Sequence, residues 1–332
     1  MMLAWIRTLI ITCLLYAPLC AGFDIIAHRG ASGYLPEHTL AAATLAHSQR
    51  PDFIEQDVVM TKDHIPVVLH DIQLQDVTNV EQVFPDRHRA DQHFYAIDFT
   101  LAELRRLSIH ERHNSQGEAV FSQRYQGDSA GFRIATLTEH IELIAELNRQ
   151  FAVNVGLYVE IKAPAWHRRQ GVDISARVVA LIQQQVDPKM PVVLQCFDFA
   201  ETQRIRTTLE YKGQLIQLVG ENSWNESNTD YQWLISDAGL KEVAEVADGL
   251  GPWLPQLYEL TSSKTLNVPD WVYRAHEHGL LLHPYTYRQD ALPDNLSGTR
   301  LIRYLQHTAR VQGLFTDQVP AVKARLSNKA NN

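Results

Sequence analysis

The chain has 332 residues, of which 45% are hydrophobic and 20% are charged, with 16 glycines and 14 prolines. This composition excludes the disordered, collagen-like and coiled-coil classes, and the length allows one large domain or two of ordinary size. Because 38 acidic residues outnumber 30 basic ones, for a formal net charge of −8, the chain has no overall positive field to hold nucleic acid. Any site for a phosphate group must therefore be local.

The N-terminal segment, residues 1–22, predicts a secretory signal peptide. Arg7 precedes an uncharged run over residues 8–20, which is followed by the small residues Ala21 and Gly22. The run is shorter than the roughly 20 apolar residues that span a bilayer, so a signal peptide is favoured over a membrane anchor. We expect export to the periplasm, cleavage near Ala21 and no stable membrane insertion.

Removal of this segment leaves Cys196 as the single cysteine, so no intramolecular disulfide is possible. An exported chain without disulfides depends on a large core, which is typical of bacterial envelope proteins. Cys196 has no Cys or His at metal-ligand spacing, and we expect it to be buried in a strand.

From residue 23 onward, apolar runs rich in β-forming residues alternate with helical patterns. The runs cover residues 23–27, 53–60, 66–69, 155–161, 191–197, 214–219, 248–251, 280–285 and 313–316. The helical patterns, several with Thr, Asp or Pro at a capping position, cover residues 36–47, 138–148, 174–184, 199–210, 240–247, 271–278 and 299–312. Alternation of strands and helices predicts a parallel sheet.

The second and third runs are joined only by residues 61–65, too few for a crossover, so they predict a hairpin and leave eight strands for the parallel sheet. Residues from about 72 to 133 are polar, lack a strong strand and predict an insertion after the hairpin. Without the insertion and the signal peptide about 250 residues remain, the usual size of a (β/α)8 barrel. We therefore predict an α/β fold, a TIM barrel over residues 23–327, in preference to a doubly wound sheet.

The insertion contains four histidines: His88, His93, His110 and His113. A metal site is one interpretation of them. Their scattered spacing favours solvated or packing roles instead.

Acidic residues gather at predicted strand ends, where a barrel carries its active site. The two-residue period of a strand places Glu55 and Asp57 on one face, and likewise Glu160 and Lys162. Three converging carboxylates repel each other, so a bound cation is the simplest way to keep them ionised. Oxygen ligands favour Ca²⁺ or Mg²⁺ over zinc. The alternative is that Glu55 and Asp57 form structural ion pairs with Arg29 and Lys162.

Two histidines at the ends of the first and third runs favour catalysis over that alternative. His28 and His70 can divide the roles of general acid and general base across one substrate. Arg29 offers a planar fork for phosphate oxygens, and Lys162 a point charge. These residues predict a phosphoryl-transfer site. They leave open which histidine is the acid, and whether water attacks directly or a substrate hydroxyl first forms a cyclic phosphate.

These residues belong to motifs that are recognisable. The motifs are His28-Arg29-Gly30, Pro36-Glu37-His38-Thr39, Glu55-x-Asp57, Val68-Leu69-His70-Asp71 and Glu160-Ile161-Lys162. The chain closely resembles the glycerophosphodiester phosphodiesterase family over essentially its whole length from residue 23. Stretches at residues 96–100, 194–198, 283–286 and 314–317 resemble its periplasmic bacterial branch in particular.

The resemblance implies a TIM barrel with a small insertion. It also implies hydrolysis of small glycerophosphodiesters, such as glycerophosphocholine or glycerophosphoethanolamine, to glycerol 3-phosphate and an alcohol. The implied cation is Ca²⁺, with Mg²⁺ as the alternative. The motif match implies Glu55, Asp57 and Glu160 as metal ligands, His28 and His70 as the catalytic pair, Arg29 and Lys162 as phosphate contacts, and Glu37 as a contact of the substrate or of a residue that binds it.

One departure from the family is His64, which stands where the hairpin turn usually has Gly. Histidine tolerates a positive φ better than most other non-glycine residues, so we expect the hairpin to form.

Two other functions share part of the pattern. A phospholipase C-like or D-like barrel would act on intact lipid, and the apolar stretch 253–260 is compatible with that, although a disulfide and a clear membrane-facing loop are missing. A non-catalytic envelope protein that binds phosphodiesters is expected to have lost a histidine or a carboxylate, and none is missing here. The sequence predicts no oligomeric state. The aromatic-rich stretch 224–233 bears on that state or on the head group.

Overall fold

The computed structural model describes residues 22–127 and 131–327. The predicted signal peptide therefore lies outside the described residues, except for Gly22. The strands are β1 (Asp24–Ala27), β2 (Phe53–Met60), β3 (Pro66–Val68), β4 (Gly156–Ile161), β5 (Val192–Cys196), β6 (Gln214–Val219), β7 (Gly249–Pro252), β8 (Glu259–Leu260), β9 (Leu266–Asn267), β10 (Leu281–Leu282) and β11 (Gly313–Thr316).

The helices lie mostly between consecutive strands of the sheet. They are α1 (Leu40–Ser48), α2 (Val80–Val83), α3 (Leu101–Leu104), α4 (Leu137–Phe151), α5 (Pro164–Arg169), α6 (Ile174–Gln185), α7 (Phe199–Thr207), α8 (Tyr231–Leu234), α9 (Asp237–Val246), α10 (Asp270–Glu277), α11 (Gly298–His307) and α12 (Val319–Ser327). Within the described ranges, none of them has the length and apolar character that a membrane-spanning helix requires.

Eight parallel strands form a nearly closed barrel in the order β10-β7-β6-β5-β4-β2-β1-β11. The two ends of this order meet through backbone hydrogen bonds. The Phe315 amide donates to the Pro284 carbonyl at 3.0 Å, and the Tyr287 amide donates to the Phe315 carbonyl at 2.8 Å. The predicted TIM barrel is confirmed. Its parallel strands all carry their C-terminal ends at one rim, which is where the predicted site residues lie.

The predicted hairpin is present as β2 and β3, which pair antiparallel with Val58 opposite Val68. His64 in its turn has φ 61°, so the expected positive φ is confirmed. The Thr61 hydroxyl closes the turn by accepting the Ile65 amide at 2.9 Å and donating to Asp63 at 2.6 Å. These local hydrogen bonds help to hold the turn without glycine.

Several elements differ from the sequence prediction: the short elements α2, α3, α5, α8, β8 and β9 were not predicted, and α1 begins at Leu40 and not at residue 36. The run 280–285 is a strand only at Leu281–Leu282, because Pro284 has no amide proton to donate to a ladder. Helix α12 follows the last strand and was not predicted. Its sequence places Pro320 in the first turn, where proline's missing amide proton costs no helical hydrogen bond.

The barrel wall and its surrounding helices share the main hydrophobic core, and the inserted segment has a second one. In that second core Phe94, Phe99 and Leu107 pack with Val59 and Val67 of the hairpin. The segment that reads as polar in the sequence is therefore anchored on the outside of the β2–β3 hairpin. Cys196 is buried at the end of β5, as expected.

Candidate active site

A cavity of about 260 Å³ opens at the C-terminal ends of the barrel strands. One side of it, here called the charged wall, consists of residues on or just after β1 to β4: His28, Arg29, Glu55, Asp57, His70 and Glu160. The opposite side, here called the aromatic wall, consists of residues that follow β5, β6, β7 and β10: Phe197, Trp224, Trp253 and Tyr285. The predicted residues Glu37 and Lys162 lie behind the charged wall and contact it.

The three predicted metal ligands converge because of strand register. Asp57 on β2 lies directly opposite Glu160 on β4, and Glu55 projects from the same face of β2 two residues earlier. One oxygen from each carboxylate can be chosen so that all three lie within 4.8 Å of one another. In the described ranges this is the one such cluster of His, Cys, Asp or Glu, so the four histidines of the insertion do not form another.

The electrostatics of this acidic cluster call for a positive charge. Burial, together with Asp57 and Glu160, raises the pKa of Glu55 well above its usual range. Burial also raises the pKa of Glu160 to about 8, against the effect of Lys162. Burial alone would raise the pKa of Asp57 too, but His38, at 2.7 Å from its Oδ2, holds it well below the ordinary value.

The residues present fit a divalent cation with oxygen ligands. Asp57 Oδ1 is buried and has no hydrogen-bond partner, and the same is true of the neighbouring Gln195 Oε1. The Gln195 amide donates instead to Glu55 Oε1 at 2.9 Å, which orients that carboxylate. Buried acceptor oxygens without a donor are costly unless a cation or hydrogen bond satisfies them. The acidic cluster could therefore bind a metal ion.

Each of the two predicted catalytic histidines pairs through Nδ1 with an aspartate. The His28 pair is with Asp317 at 2.6 Å and the His70 pair with Asp71 at 2.7 Å. The opposite ring nitrogens face the cluster. Nε2 of His28 lies 3.8 Å from Glu55 Oε2, and Nε2 of His70 lies 3.5 Å from Lys162 Nζ.

Both imidazoles are neutral at pH 7. Burial and the positive charge of Arg29 lower the pKa of His28 to about 4. Burial, Arg29 and Lys162 lower the pKa of His70 to about 3. Since a carboxylate can only accept, each Nδ1 is the protonated nitrogen of its ring. Each Nε2 therefore presents a lone pair to the cavity.

The predicted phosphate contacts are held from behind by carboxylates. Arg29 has φ 57°, and its amide donates to Glu55 Oε2 at 2.9 Å. Its Nη1 donates to both oxygens of Glu37, while its buried Nε lies 3.5 Å from Asp57 Oδ2 without making a hydrogen bond. Lys162 Nζ lies 2.8 Å from Glu160 Oε1. Glu37 thus contacts Arg29 and not the cavity, and the structure brings all the predicted site residues into one connected group.

The aromatic wall is held by edge-to-face ring contacts. The Trp224 and Trp253 rings are 5.2 Å apart at 73°, and the Phe197 and Tyr285 rings are 5.8 Å apart at 85°. Glu226, an exposed residue, also lines the cavity on this side. The acidic side chain beside four aromatic rings gives this wall a chemistry different from that of the charged wall.

Sequence reasoning missed several residues of the group. Asp317 was part of the motif at residues 314–317 but was not predicted as a site residue. It follows β11 directly, and this position at a strand end is the signal that could have revealed it. His38, which contacts Asp57, also lies in a quoted motif. Arg112 and Arg124 of the insertion contact Asp71 and Asp317, and no sequence signal points to them.

Comparisons with known proteins agree with this geometry. The model of the glycerophosphoryl diester phosphodiesterase family matches residues 28–321. A glycerophosphodiester phosphodiesterase of Haemophilus influenzae is 38% identical, and the match covers 88% of this chain and 86% of the Haemophilus protein. A glycerophosphodiester phosphodiesterase of Treponema pallidum is 35% identical, and the match covers 81% of this chain and 82% of the Treponema protein. The chain therefore belongs to the glycerophosphodiester phosphodiesterase family, and the prediction of an enzyme that hydrolyses phosphoric diesters is confirmed.

Solved structures give the same fold. A putative glycerophosphoryl diester phosphodiesterase of Silicibacter pomeroyi superposes with a TM-score of 0.71 at 23% identity, over 93% of this chain and 94% of that one. A phosphodiesterase of Oleispira antarctica, solved in complex with the product sn-glycerol-3-phosphate, superposes with a TM-score of 0.63 at 20% identity, over 92% and 96%. At these identities the likeness concerns the fold.

Proposed function

We propose that the protein hydrolyses glycerophosphodiesters to glycerol 3-phosphate and an alcohol, with His28 and His70 as general acid and base beside a metal ion. The observation that carries this proposal is the arrangement of two neutral imidazoles around one acidic cluster. Nε2 of His28 is 3.8 Å from Glu55, and Nε2 of His70 is 3.5 Å from Lys162, whose Nζ is 2.8 Å from Glu160. The family match and the product named for the Oleispira antarctica neighbour support the same reaction.

In this proposal Glu55, Asp57 and Glu160 hold Ca²⁺, with Mg²⁺ as the alternative. The bound cation supplies positive charge that stabilises the charge developing on phosphate oxygens. Arg29 and Lys162 bind and orient the phosphate, and Glu37 orients Arg29. The imidazole that acts as base takes the proton of the attacking hydroxyl at its Nε2 and later releases it to solvent. The imidazole that acts as acid takes up a proton from solvent at its Nε2 when the anionic phosphate binds, and gives that proton to the leaving alkoxide. Asp317 and Asp71 hold the two Nδ1 protons throughout.

The proposed substrates are diesters with a cationic alcohol, such as glycerophosphocholine and glycerophosphoethanolamine. The aromatic wall supports this choice, because the faces of Trp and Tyr rings attract ammonium groups within about 6 Å. The Glu226 carboxylate on the same side adds a negative charge, which attracts the positively charged alcohol. Arg29 of the charged wall suits the phosphate. Arg288, which lines the cavity after β10, is paired with Asp317 through its Nε at 3.0 Å.

We also propose that the enzyme is exported to the periplasm. The support is the pattern of residues 1–22. Expression of the full chain in a Gram-negative host, followed by fractionation and N-terminal sequencing, tests it. A mature N-terminus near residue 22 in the periplasmic fraction is the expected result, and an intact Met1 in the cytoplasmic fraction would contradict it.

The reaction is tested by a coupled assay for glycerol 3-phosphate released from glycerophosphocholine. We expect release to stop in EDTA and to return on addition of Ca²⁺, with a parallel titration of Mg²⁺ to compare the two ions. Phosphatidylcholine vesicles serve as the control for a lipid-directed enzyme, and we expect no product from them. Absence of glycerol 3-phosphate with Ca²⁺ in excess, or release that EDTA does not change, would refute the proposal.

A further inference from the structure

The aspartates that pair with the two histidines each have a second partner, and in both cases it is an arginine of the insertion. Asp71 receives His70 on Oδ1 at 2.7 Å and Arg112 Nη1 on Oδ2 at 2.6 Å. The other aspartate is bound in the same way: Asp317 receives His28 on Oδ1 at 2.6 Å and Arg124 Nη2 on Oδ2 at 2.7 Å. Each carboxylate therefore bridges a histidine and an arginine of the insertion, one oxygen to each. Oδ2 of Asp317 also accepts from Nε of Arg288, which follows β10, at 3.0 Å.

Both arginines are held in place by further acceptors. Arg124 is almost wholly buried, with 4% of its side chain exposed, and it also makes two hydrogen bonds to Asp290 at 2.8 and 3.1 Å. Arg112 makes two to Glu37, at 2.7 and 3.2 Å. A planar guanidinium bound at two or more points has little freedom to move, so it fixes the carboxylate that it contacts.

The charge of these contacts determines which nitrogen of each histidine carries the proton. Burial alone would raise the pKa of Asp71, but His70 and Arg112 hold it well below the ordinary value. Burial would likewise raise the pKa of Asp317. Arg288, His28 and Arg124 instead hold that pKa far below its ordinary value. An ionised carboxylate can only accept the hydrogen on Nδ1, so the proton stays on Nδ1 and Nε2 is the ring nitrogen that can exchange a proton with a substrate.

We propose that the insertion is a positioning element of the active site: Arg112 and Arg124 fix Asp71 and Asp317, so that in the substrate-free protein both histidines keep a proton on Nδ1 and direct Nε2 to the cavity. The proposal rests on the catalytic roles given above to His28 and His70. Neither arginine is placed at the reacting atoms, and both act through an aspartate and a histidine. The insertion thus has a role beyond covering the hairpin.

The proposal predicts a selective loss of turnover when either arginine is replaced. We expect Arg124→Ala to lower kcat about 10- to 100-fold, as removal of the groups that orient a ligating or catalytic histidine does, with KM changed less than about twofold. Arg112→Ala should lower kcat similarly and also raise KM, because Arg112 bonds Glu37, which orients Arg29. The lysine variants, Arg112→Lys and Arg124→Lys, should recover part of kcat, since an ammonium can still reach one carboxylate oxygen.

The matched control is Arg89→Ala. Arg89 also belongs to the insertion and makes two hydrogen bonds to a carboxylate, at 2.7 and 2.8 Å, but that carboxylate is Asp98, which contacts neither histidine. We expect wild-type kcat and KM from this variant. A loss in Arg89→Ala equal to that in Arg124→Ala would show that the insertion acts only through general stability, and would overturn the proposal.

A second measurement does not depend on turnover. In protein labelled with ¹⁵N-histidine, at fixed pH 7.5, the ring-nitrogen shifts of His28 and His70 should report one tautomer, with the proton on Nδ1. In Arg124→Ala, or in Arg124→Lys where the alanine variant does not fold, we expect the His28 signals to move towards a mixture of tautomers while those of His70 stay unchanged. In Arg112 variants we expect the His70 signals to move and those of His28 to stay unchanged.

The two measurements separate failure of this inference from failure of the proposed function. If the wild-type enzyme releases no glycerol 3-phosphate, the proposed function fails and the tautomer shifts alone decide the inference. Histidine signals that do not change in either set of variants, or kcat within twofold of wild type in both alanine variants, would overturn it.

Discussion

The two walls of the cavity are built in different ways. On the charged wall almost every side chain is bound to another within hydrogen-bond distance: His28 to Asp317 at 2.6 Å, for example, and Arg29 to Glu37 at 2.9 Å. The aromatic wall depends mainly on contacts between rings 5 to 6 Å apart, with one hydrogen bond from the Tyr285 hydroxyl to the Val219 carbonyl at 2.9 Å, and Trp224 is 39% exposed. One wall is held mainly by directional bonds, and the other mainly by packing.

This difference indicates a division of labour. Acid and base groups must be placed within a few tenths of an ångström to work, which directional bonds achieve. Recognition of an ammonium group by aromatic faces tolerates looser geometry, because the attraction is spread over the ring. We therefore expect changes on the charged wall to affect turnover of every substrate, and changes on the aromatic wall to affect the choice between substrates.

The largest effect is expected on the charged wall. His28→Ala and His70→Ala should each lower kcat by about 10²- to 10⁴-fold on all diesters, the usual contribution of a positioned acid or base. Thermal unfolding should change little. His307→Ala, at an exposed histidine of α11, is the control and should keep full activity. Rates like those of the wild type in both variants would eliminate the histidine pair.

A smaller, substrate-dependent effect is expected on the aromatic wall. Trp253→Ala should lower kcat/KM for glycerophosphocholine by roughly 5- to 30-fold, which corresponds to about 1–2 kcal/mol of cation–π attraction. The loss on glycerophosphoglycerol, whose alcohol is uncharged, should be several-fold smaller. Trp253→Phe keeps an aromatic face and should lie in between, and Trp233→Ala, at an exposed tryptophan of α8, should change neither substrate. Equal losses on both diesters would contradict recognition of the charge.

A still smaller effect is expected at Glu226, since it is exposed and its field is screened by salt. Glu226→Gln should raise KM for glycerophosphocholine about two- to threefold at low ionic strength and leave kcat unchanged. The difference should vanish near 0.5 M NaCl. Glu245→Gln, an exposed glutamate of α9, is the matched control. A change in kcat would mean that Glu226 acts on the charged wall as well.

The fold was largely predictable because its strands are buried apolar runs separated by amphipathic helices. The same regularity explains why Glu55, Asp57 and Glu160 could be placed together, since strand period and register fix which side chains share a face. Prediction failed where no period exists. The apolar residues of the second core, such as Phe94 and Leu107, are irregularly spaced, so the insertion read as polar.

The contacts of the site were predictable only in part. His28 and His70 stand at strand ends, and their position alone indicates the rim of the barrel. Arg124 and Asp317 are separated by 193 residues and Arg112 and Asp71 by 41, and a contact over such distances depends on how the insertion packs on the hairpin. A single sequence carries no period or motif that reports this packing.

His167 belongs to the frame of both walls, which here means the side chains that pack behind the barrel strands and do not line the cavity. His167 of α5 lies behind β2, where its Nε2 accepts the Met60 amide at 3.2 Å and its Nδ1 donates to the Ala163 carbonyl at 3.0 Å. Burial lowers its pKa from 6.5 to about 4. Between these pH values the unfolded chain binds a proton that the folded protein does not, so the free energy of unfolding falls as pH falls, by roughly 3 kcal/mol for this group.

The variant His167→Gln keeps a donor and an acceptor but cannot titrate, so its stability should decline less between pH 6.5 and pH 4. Urea unfolding midpoints at pH 7, 5 and 4 measure this, with His307→Gln as the exposed control. At pH 7 the kcat of His167→Gln and its preference between diesters should equal those of the wild type, because His167 lines neither wall. A pH dependence of stability identical to that of the wild type would show that the imidazole takes up its proton without cost in the folded state. A changed substrate preference would mean that the frame and the walls are coupled.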